Sequence, residues 1–520
     1  MSGRITLVGA GPGDPELITL RGLRALEEAD AVVFDRLAPP ELLARARPGA
    51  RLIDAGKRPG AQAMSQERIS ALIAELAAAG KRVVRLKGGD PLIFGRGGEE
   101  LAAAARRGVP CEVVPGVTAA AGAAAYCAMP LTARGRSRTV TLVSGREASG
   151  PDDARVDWGT LARTGGTIAV YMGLERLPEI AGALMAGGLP AGTAAAVVSR
   201  ATTPEQEALV STLGRVAADV RRAGLGPPAL LLVGRTAAIR RGPSWFERLP
   251  LFGRRVLVTR ERERAAGLVD GLRRLGAGVW ELPTIAVAPT RSPAALDAAL
   301  RRIERYRWVV FASANAVGTV HRRLFRLGRD LRSLAGVSLA AAGPGTAAAL
   351  AAAGLRADLV AEDSGARGLL RALSRADIRG ERVLLPRSGC GLEALPEGLA
   401  RLGARVDAVE AYRLVRPAVD AAGRAALGAL ARREVDLAVF TSPSTARNLA
   451  AMLGPARLVR LRGMRAAAIG PTTARAAREL GFRVVAVPRR QELGEFVRTI
   501  AARLGSGGNW PRRSGRGWRR

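Results

Sequence analysis

Two short turns offer the chain's first candidate chemistry. GAGPGD (9–14) and GGDP (88–91) each follow an apolar, strand-like run, RITLV and KRVVRLK, and each pairs glycines with an aspartate where backbone can approach a ligand closely. The first turn is not a dinucleotide cradle. A pyrophosphate needs G-x-G-x-x-G with free amides, whereas Pro12 has no N–H and Asp14 places negative charge where the last glycine belongs. The turn therefore suits a ligand without phosphate. Proton transfer has few candidates, because the chain holds one histidine, His321, four tyrosines and three lysines: Lys57, Lys81 and Lys87. Arginine fills nearly every other basic position. A lysine retained against that bias points to a need for a compact ammonium whose pKa can shift, which a guanidinium does not supply.

The elements that must position these groups follow an α/β rhythm. RITLVGAG, DAVVFD, KRVVRLKGG, TVTLVSG, TIAVYMG and ALLLVGR alternate with helical patterns over residues 4–240, as in parallel sheets whose strand-end loops are open to ligands. RRGPSWFERLPLFGRR (240–255) breaks the rhythm with two prolines, two glycines and aromatics that read as exposed, so a linker is expected over 241–253. An internal repeat follows. VLVTR (256–260) recurs as VLLPR (383–387), GLRRLGA (271–277) as GLARLGA (398–404), VVFASAN (309–315) as AVFTSPS (438–444), and GPGTAAALAAAGL (343–355) as GPTTARAARELGF (470–482). Offsets of 127 to 129 residues at four places predict two similar α/β lobes in residues 254–504, with a ligand cleft between them.

Composition narrows the function classes. The 520 residues imply several compact units, and no apolar stretch reaches the roughly 18 residues of a membrane span. The opening MSGRITLVGAG has no signal-type pattern, so a soluble cytoplasmic protein is expected. Cys111, Cys127 and Cys390 form no C-x-x-C pair, which argues against a zinc site or a disulfide framework and for small buried hydrophobes. The formal charge of +34 is spread singly over Ala-rich helical patterns, so nucleic acid is not the expected partner. Only the tail, 505–520, concentrates basic charge, and it reads as a disordered end. A positive field suits a polycarboxylate substrate.

In order, GAGPGDPELITL (9–20), DRL (35–37), GKR (56–58), RLKGGDPLIFGRGGEE (85–100), VPGVTAAAGAAAY (114–126), YMG (171–173) and RATTPEQ (200–206) resemble the motifs of the tetrapyrrole methyltransferases, in particular the uroporphyrinogen-III C-methyltransferases. The resemblance covers about residues 4–235 within a first domain, 1–240. It implies two α/β domains with S-adenosylmethionine in the cleft between them, no metal, and a homodimer through this half. By motif the cofactor would lie against Pro12, Gly88, Gly89, Asp90, Ile93, Thr118, Ala119, Met172 and Ala201. Asp90 could accept from a ribose hydroxyl or attract the cofactor's positive charge, whereas Ile93 and Met172 taken alone read as core packing. The resemblance makes Asp35 the base and Lys57 the proton donor; alone, Asp35 also reads as a helix cap or a surface carboxylate. Where the family often has histidines this chain has Gln62, Ala133 and Arg146.

Residues 254–504 resemble uroporphyrinogen-III synthases through FASAN (311–315), AAGPGTAAAL (341–350), VLLPRS (383–388), VEAYRLV (409–415), FTSPSTARNL (440–449) and AIGPTTARAA (468–477). The expected fold is thus a tetrapyrrole-methylase fold of two α/β domains, followed by a two-lobed α/β synthase-like fold. The second resemblance implies ring closure of hydroxymethylbilane without metal or redox cofactor. Ser313, Asn315, Thr441, Ser442, Ser444 and Thr472 would offer donors to the substrate, and Tyr412 matches the family's candidate acid; each hydroxyl also reads as a turn or cap residue. Together the halves imply a bifunctional enzyme of tetrapyrrole biosynthesis, leading through precorrin-2 toward sirohaem or cobalamin. Two alternatives stand beside it: a methyltransferase of a later corrin intermediate, and a methyltransferase whose C-terminal half only binds or dimerises.

Overall fold

A computed structural model describes residues 3–56, 64–146, 155–363, 365–376, 378–389 and 394–505. Lys57, Gln62, Cys390 and the tail beyond Gly505 lie outside them. The chain divides into two compact units, Met1–Val256 with Asp270–Val279 and the residues from Val497, and Leu257–Val269 with Trp280–Phe496.

The first unit begins with β1 (Arg4–Gly9), β2 (Ala31–Phe34), β3 (Arg51–Asp54), β4 (Arg82–Lys87) and β5 (Cys111–Val114). They form an all-parallel sheet in the order β3-β2-β4-β1-β5. The near-continuous apolar runs seen in sequence belong to β1, β2 and β4, buried on both faces as inner parallel strands require. One face carries Ile5, Leu7, Val33 and Val83 against the helices Gln66–Ala78 and Gly97–Arg106. The other carries Val8, Val32, Val84 and Leu86 against the helix Leu20–Glu28. Thr19 and Ser65 start two of these helices by accepting from the amides of Gly22 and Arg68.

A second sheet combines β6 (Val140–Ser144), β7 (Thr167–Tyr171), β8 (Ala194–Ser199), β9 (Glu207–Thr212) and β10 (Ala229–Val233) in the order β6-β7-β10-β8-β9, parallel only between β6 and β7. The helix Ala119–Cys127 joins its core through Ala120, Ala123 and Cys127. Burial pushes the thiols of Cys111 and Cys127 up to about 11 and about 12, so both stay protonated at neutral pH.

The stretch expected as a linker is pinned to the first unit. Glu247 accepts from Arg240 at 2.6 Å, from the Ser244 amide at 2.9 Å and from Gln206 at 3.3 Å. Trp245 Nε1 donates to the Ala125 carbonyl, and Phe246 packs edge-on against Tyr126 and Phe252. Only Trp245 matches the expected exposure, because the other rings bury their apolar area against each other and Tyr126.

The remaining strands are β11 (Arg255–Val258), β12 (Gly278–Glu281), β13 (Ala286–Pro289), β14 (Trp308–Phe311), β15 (Ser338–Ala341), β16 (Leu359–Val360), β17 (Arg382–Ser388), β18 (Arg405–Val415), β19 (Leu437–Phe440), β20 (Arg465–Ala468) and β21 (Arg483–Ala486). They build two sheets, β12-β11-β19-β20-β21 and β13-β18-β17-β14-β15-β16. Apart from β13 the orders correspond strand for strand, as the repeat predicts. Each sheet, however, draws strands from both repeats: β11 of the first lies beside β19 of the second, and β17 of the second pairs with β14 of the first. Among the described residues no helix is long and apolar enough to cross a membrane.

Candidate active sites

The strand ends of the first unit converge on one place. After β1, Gly11 takes φ +77° and exchanges backbone hydrogen bonds with Gly89 at 3.2 and 2.7 Å, tying GAGPGD to GGDP. A Cβ on Gly9 would stand 2.5 Å from Gly116 Cα, and one on Gly116 only 2.3 Å from the Gly89 carbonyl oxygen. Three loops thus pass closer than side chains allow, which accounts for those glycines. Loops of the second sheet meet them. Thr202 Oγ1 accepts from the Asp14 amide at 3.0 Å, and the Tyr171 hydroxyl accepts from the Ala120 amide at 2.9 Å while bonding Thr118 Oγ1 at 2.7 Å. The ring of Phe94 lies 4.9 Å from that of Tyr171.

Backbone strain concentrates here. Phe94, Arg96, Met172, Arg200 and Thr202 all adopt positive φ, between 49° and 67°, at a cost of order 1–3 kcal/mol each. So does apolar exposure: Leu37, Leu92, Phe94 and Met172 are large, exposed hydrophobic side chains on these loops. Met172, 50% exposed, is therefore not core packing, and Ile93 is only partly buried. None of the nine residues that the motif placed against a cofactor is buried.

The aspartates are tied to the loops around them. Asp14 accepts from the Tyr126 hydroxyl at 2.6 Å and from the Glu16 amide at 2.9 Å. Asp90 accepts from the amides of Leu92, Ile93 and Gly116 at 2.8, 3.2 and 3.0 Å, so its carboxylate shapes the loops. Asp35 directly follows β2 and is 32% exposed; Arg85 donates to its Oδ1 at 2.5 Å. The neighbouring Leu37 abuts Gly88, so the Asp35 loop borders the cradle. Ala133 sits in a bridge with Ser137, and Arg146 is exposed beyond β6.

In the second unit the predicted donors stand where parallel strands turn into helices. Ser313 caps the helix Ala314–Arg326 after β14, accepting from the Ala316 amide at 3.2 Å, and Asn315 lies in its first turn. Ser442 caps the helix Pro443–Arg460 after β19 in a reciprocal capping box with Thr445, and bonds Ser444 at 2.9 Å; Thr441 precedes it. Thr472 is exposed in the first turn of the helix Pro471–Glu479, after β20. Tyr412 is 6% exposed, packs in the core beside Phe311 and Leu384, and bonds Ser313 Oγ at 2.8 Å. Its ring is structural, and only its hydroxyl meets the predicted donor set. A cavity of about 440 Å³ is lined by Thr290, Arg291, Ser292, Glu410 and Arg413, none of them singled out in sequence.

Tyr171, Phe94, Thr202, Arg85 and Glu100 were also missed as individuals. The usable signal was a charge in the middle of an apolar strand, RVVRLK.

Known proteins match both halves. Residues 4–217 match the tetrapyrrole (corrin/porphyrin) methylases, and residues 266–498 match uroporphyrinogen-III synthase HemD. The crystal structure of a uroporphyrin-III C-methyl transferase from Thermus thermophilus complexed with S-adenyl homocysteine is 40% identical, with a TM-score of 0.40, over 46% of this chain and 100% of that one. A siroheme synthase of Methylococcus capsulatus is 46% identical over 244 residues, 47% of this chain; the match spans about half of that relative's length, 51%. The porphyrin biosynthesis protein HemD of Ruminiclostridium josui is 33% identical over 483 residues, 93% of this chain and 95% of its own. With both family models matched in this order and that relative aligned over nearly its whole length, the chain belongs to the porphyrin biosynthesis proteins that join a tetrapyrrole methylase to a uroporphyrinogen-III synthase.

Proposed function

We propose that residues 254–504 close hydroxymethylbilane to uroporphyrinogen III and that residues 1–240 methylate this product twice, giving precorrin-2. One observation carries the methylating half: five strained residues and four exposed apolar side chains gather on loops that meet at one place, where backbone groups and hydroxyls supply the polar contacts. These residues fit S-adenosylmethionine, since Met172, Phe94 and Leu92 offer apolar surface and the loops of Pro12, Gly88, Gly89, Thr118, Ala119 and Ala201 offer backbone where glycines let the loops approach one another closely. Bound there, the cofactor supplies a sulfonium methyl group to an electron-rich pyrrole carbon. Asp35, at the rim, takes the proton that must leave the macrocycle, and Arg85 keeps it oriented. Lys57 is assigned the proton-donor role by motif alone.

Among the described residues the synthase half has no comparable cluster around its predicted residues. Four helices begin directly after β14, β15, β19 and β20, and their amide ends, with Ser313, Asn315, Thr441, Ser442, Ser444 and Thr472, favour the substrate's carboxylates. Tyr412 assists hydroxide departure through its contact with Ser313. Incubating the full chain with hydroxymethylbilane, with and without S-adenosylmethionine, tests both parts. Type III isomer above the spontaneous type I background, followed by two methyl additions, is expected. Methylation of added uroporphyrinogen III without isomer III formation would leave the C-terminal half as a binding module.

A further inference from the structure

Beneath the Asp35 loop lies a charge cluster that the chemistry above does not use in full. Arg85 and Lys87 are two residues apart on β4, so both side chains fall on the face shared with Val83 and covered by the helices Gln66–Ala78 and Gly97–Arg106. Those helices contribute Gln66 and Glu100. Glu100 Oε1 accepts from Arg85 Nε at 2.9 Å, Lys87 Nζ at 3.0 Å and Gln66 Nε2 at 3.1 Å. The other arm of Arg85 reaches Asp35. Arg85, Lys87 and Glu100 are 1%, 3% and 0% exposed.

Such a cluster is a poor way to stabilise a core. Its formal charges cancel, yet apolar residues of similar volume would often do as well, and among the described residues Glu100 Oε2 is buried without a hydrogen-bond partner. Burial, then repulsion from Arg85, makes Lys87 easier to deprotonate, whereas for Arg85 the attraction of Asp35 and Glu100 outweighs burial. The cluster is therefore asymmetric: Arg85 is clamped from both ends, and Lys87 competes with it for Glu100.

The geometry points to Glu100 and Lys87 as positioning residues for Asp35: Glu100 fixes Arg85, Lys87 tunes that hold by sharing Glu100 Oε1, and Arg85 holds Oδ1 so that Oδ2 takes the proton. The inference rests on the reading of Asp35 as the base. Removing the Glu100 charge leaves the cluster one charge more positive, and removing that of Lys87 leaves it one more negative. The surrounding groups, Asp54 on β3, Arg36 beside Asp35, Cys111 on β5, and Glu67 and Arg96 on the covering elements, stay the same in every variant.

The test is the pH–rate profile of methyl transfer by the full chain at saturating S-adenosylmethionine. In Glu100→Gln the low-pH limb should move down by about half to one unit, and in Lys87→Met up by a similar amount. The double variant should return toward wild type. kcat should fall about tenfold in Glu100→Gln with KM changed less than about threefold, and calorimetric affinity for S-adenosylhomocysteine should hold within about threefold. Unmoved limbs, or limbs moving the same way, with Asp35→Asn inactive, would overturn the positioning role while leaving the base in place. Wild-type rates in Asp35→Asn would instead remove the base reading itself. Should Glu100→Gln not fold, Lys87→Met decides alone: an upward limb supports the inference, and no shift or a downward one overturns it.

Discussion

The two halves spend their polar groups differently. Around the methylase cradle, side chains reach across loops far apart in sequence: Tyr126 to Asp14, Tyr171 to Thr118, Asp90 to Gly116, Arg85 to Asp35. In the synthase half Ser313 and Ser442 bond within three residues of themselves, as helix caps, Ser444 bonds Ser442, and the bond between Tyr412 and Ser313 is long-range. A geometry set by many distant contacts should fail sharply when one group is changed. A set of helix ends and hydroxyls should fail gradually, because each contact to a polycarboxylate is one of many.

Substitutions can break that contrast. Asp35→Asn removes the base while leaving an isosteric partner for Arg85, so methyl transfer should fall by about 10²–10⁴-fold with cofactor affinity nearly unchanged. Initial rates beside calorimetry check this, and equal losses in both would make Asp35 structural. Lys57→Arg keeps charge but not a readily released proton, and a loss of about 100-fold in methyl transfer with intact synthase activity is expected. Rates within about threefold of wild type would make Lys57 an anion-binding residue.

Tyr126→Phe cuts the hydroxyl that holds Asp14, loosening the turn after β1, and should weaken S-adenosylmethionine binding about tenfold. Tighter binding would show instead that the freed carboxylate attracts the sulfonium. Tyr412→Phe retains the buried ring, so the protein should fold and lose only about threefold to tenfold in synthase rate, measured as isomer III formed. A loss beyond about 100-fold would mean that the second half is as sharply built as the first.

The smallest catalytic effect is expected from Arg323→Gln. Arg323 donates to both oxygens of Asp297, which it holds below the ordinary carboxylate range, at the opposite end of the helix that Ser313 caps. An aspartate so depressed stabilises the fold above its unfolded pKa, near 3.9, and loses that contribution as pH falls through the lower folded value. The variant should therefore be less stable by about 1.5–3 kcal/mol at pH 7, with the gap closing below about pH 4, and synthase rate should be unchanged. Thermal unfolding across pH follows it; a pH-independent gap would show that the pair contributes packing rather than charge.

The α/β alternation of the first unit was legible in the residues, because strand-end glycines, prolines and apolar runs report local burial and turn geometry; its two-domain fold came with the motif resemblance, and β10–β7, β10–β8 and β8–β9 pair antiparallel where parallel strands were expected. The four echoes at 127 to 129 residues also foretold two like sheets. Only the tertiary structure decided that each sheet takes β11 or β17 from one repeat and β19 or β14 from the other, since strand adjacency between equivalent partners leaves no trace in a repeat. It likewise committed Asp14 and Asp90 to backbone and hydroxyl donors and buried Tyr412. It also set Glu100 against Arg85, 15 residues away, and Arg85 against Asp35, 50 residues away. Periodicity tells which face of an element is covered; which polar atom meets which depends on how distant strands and helices come together in space.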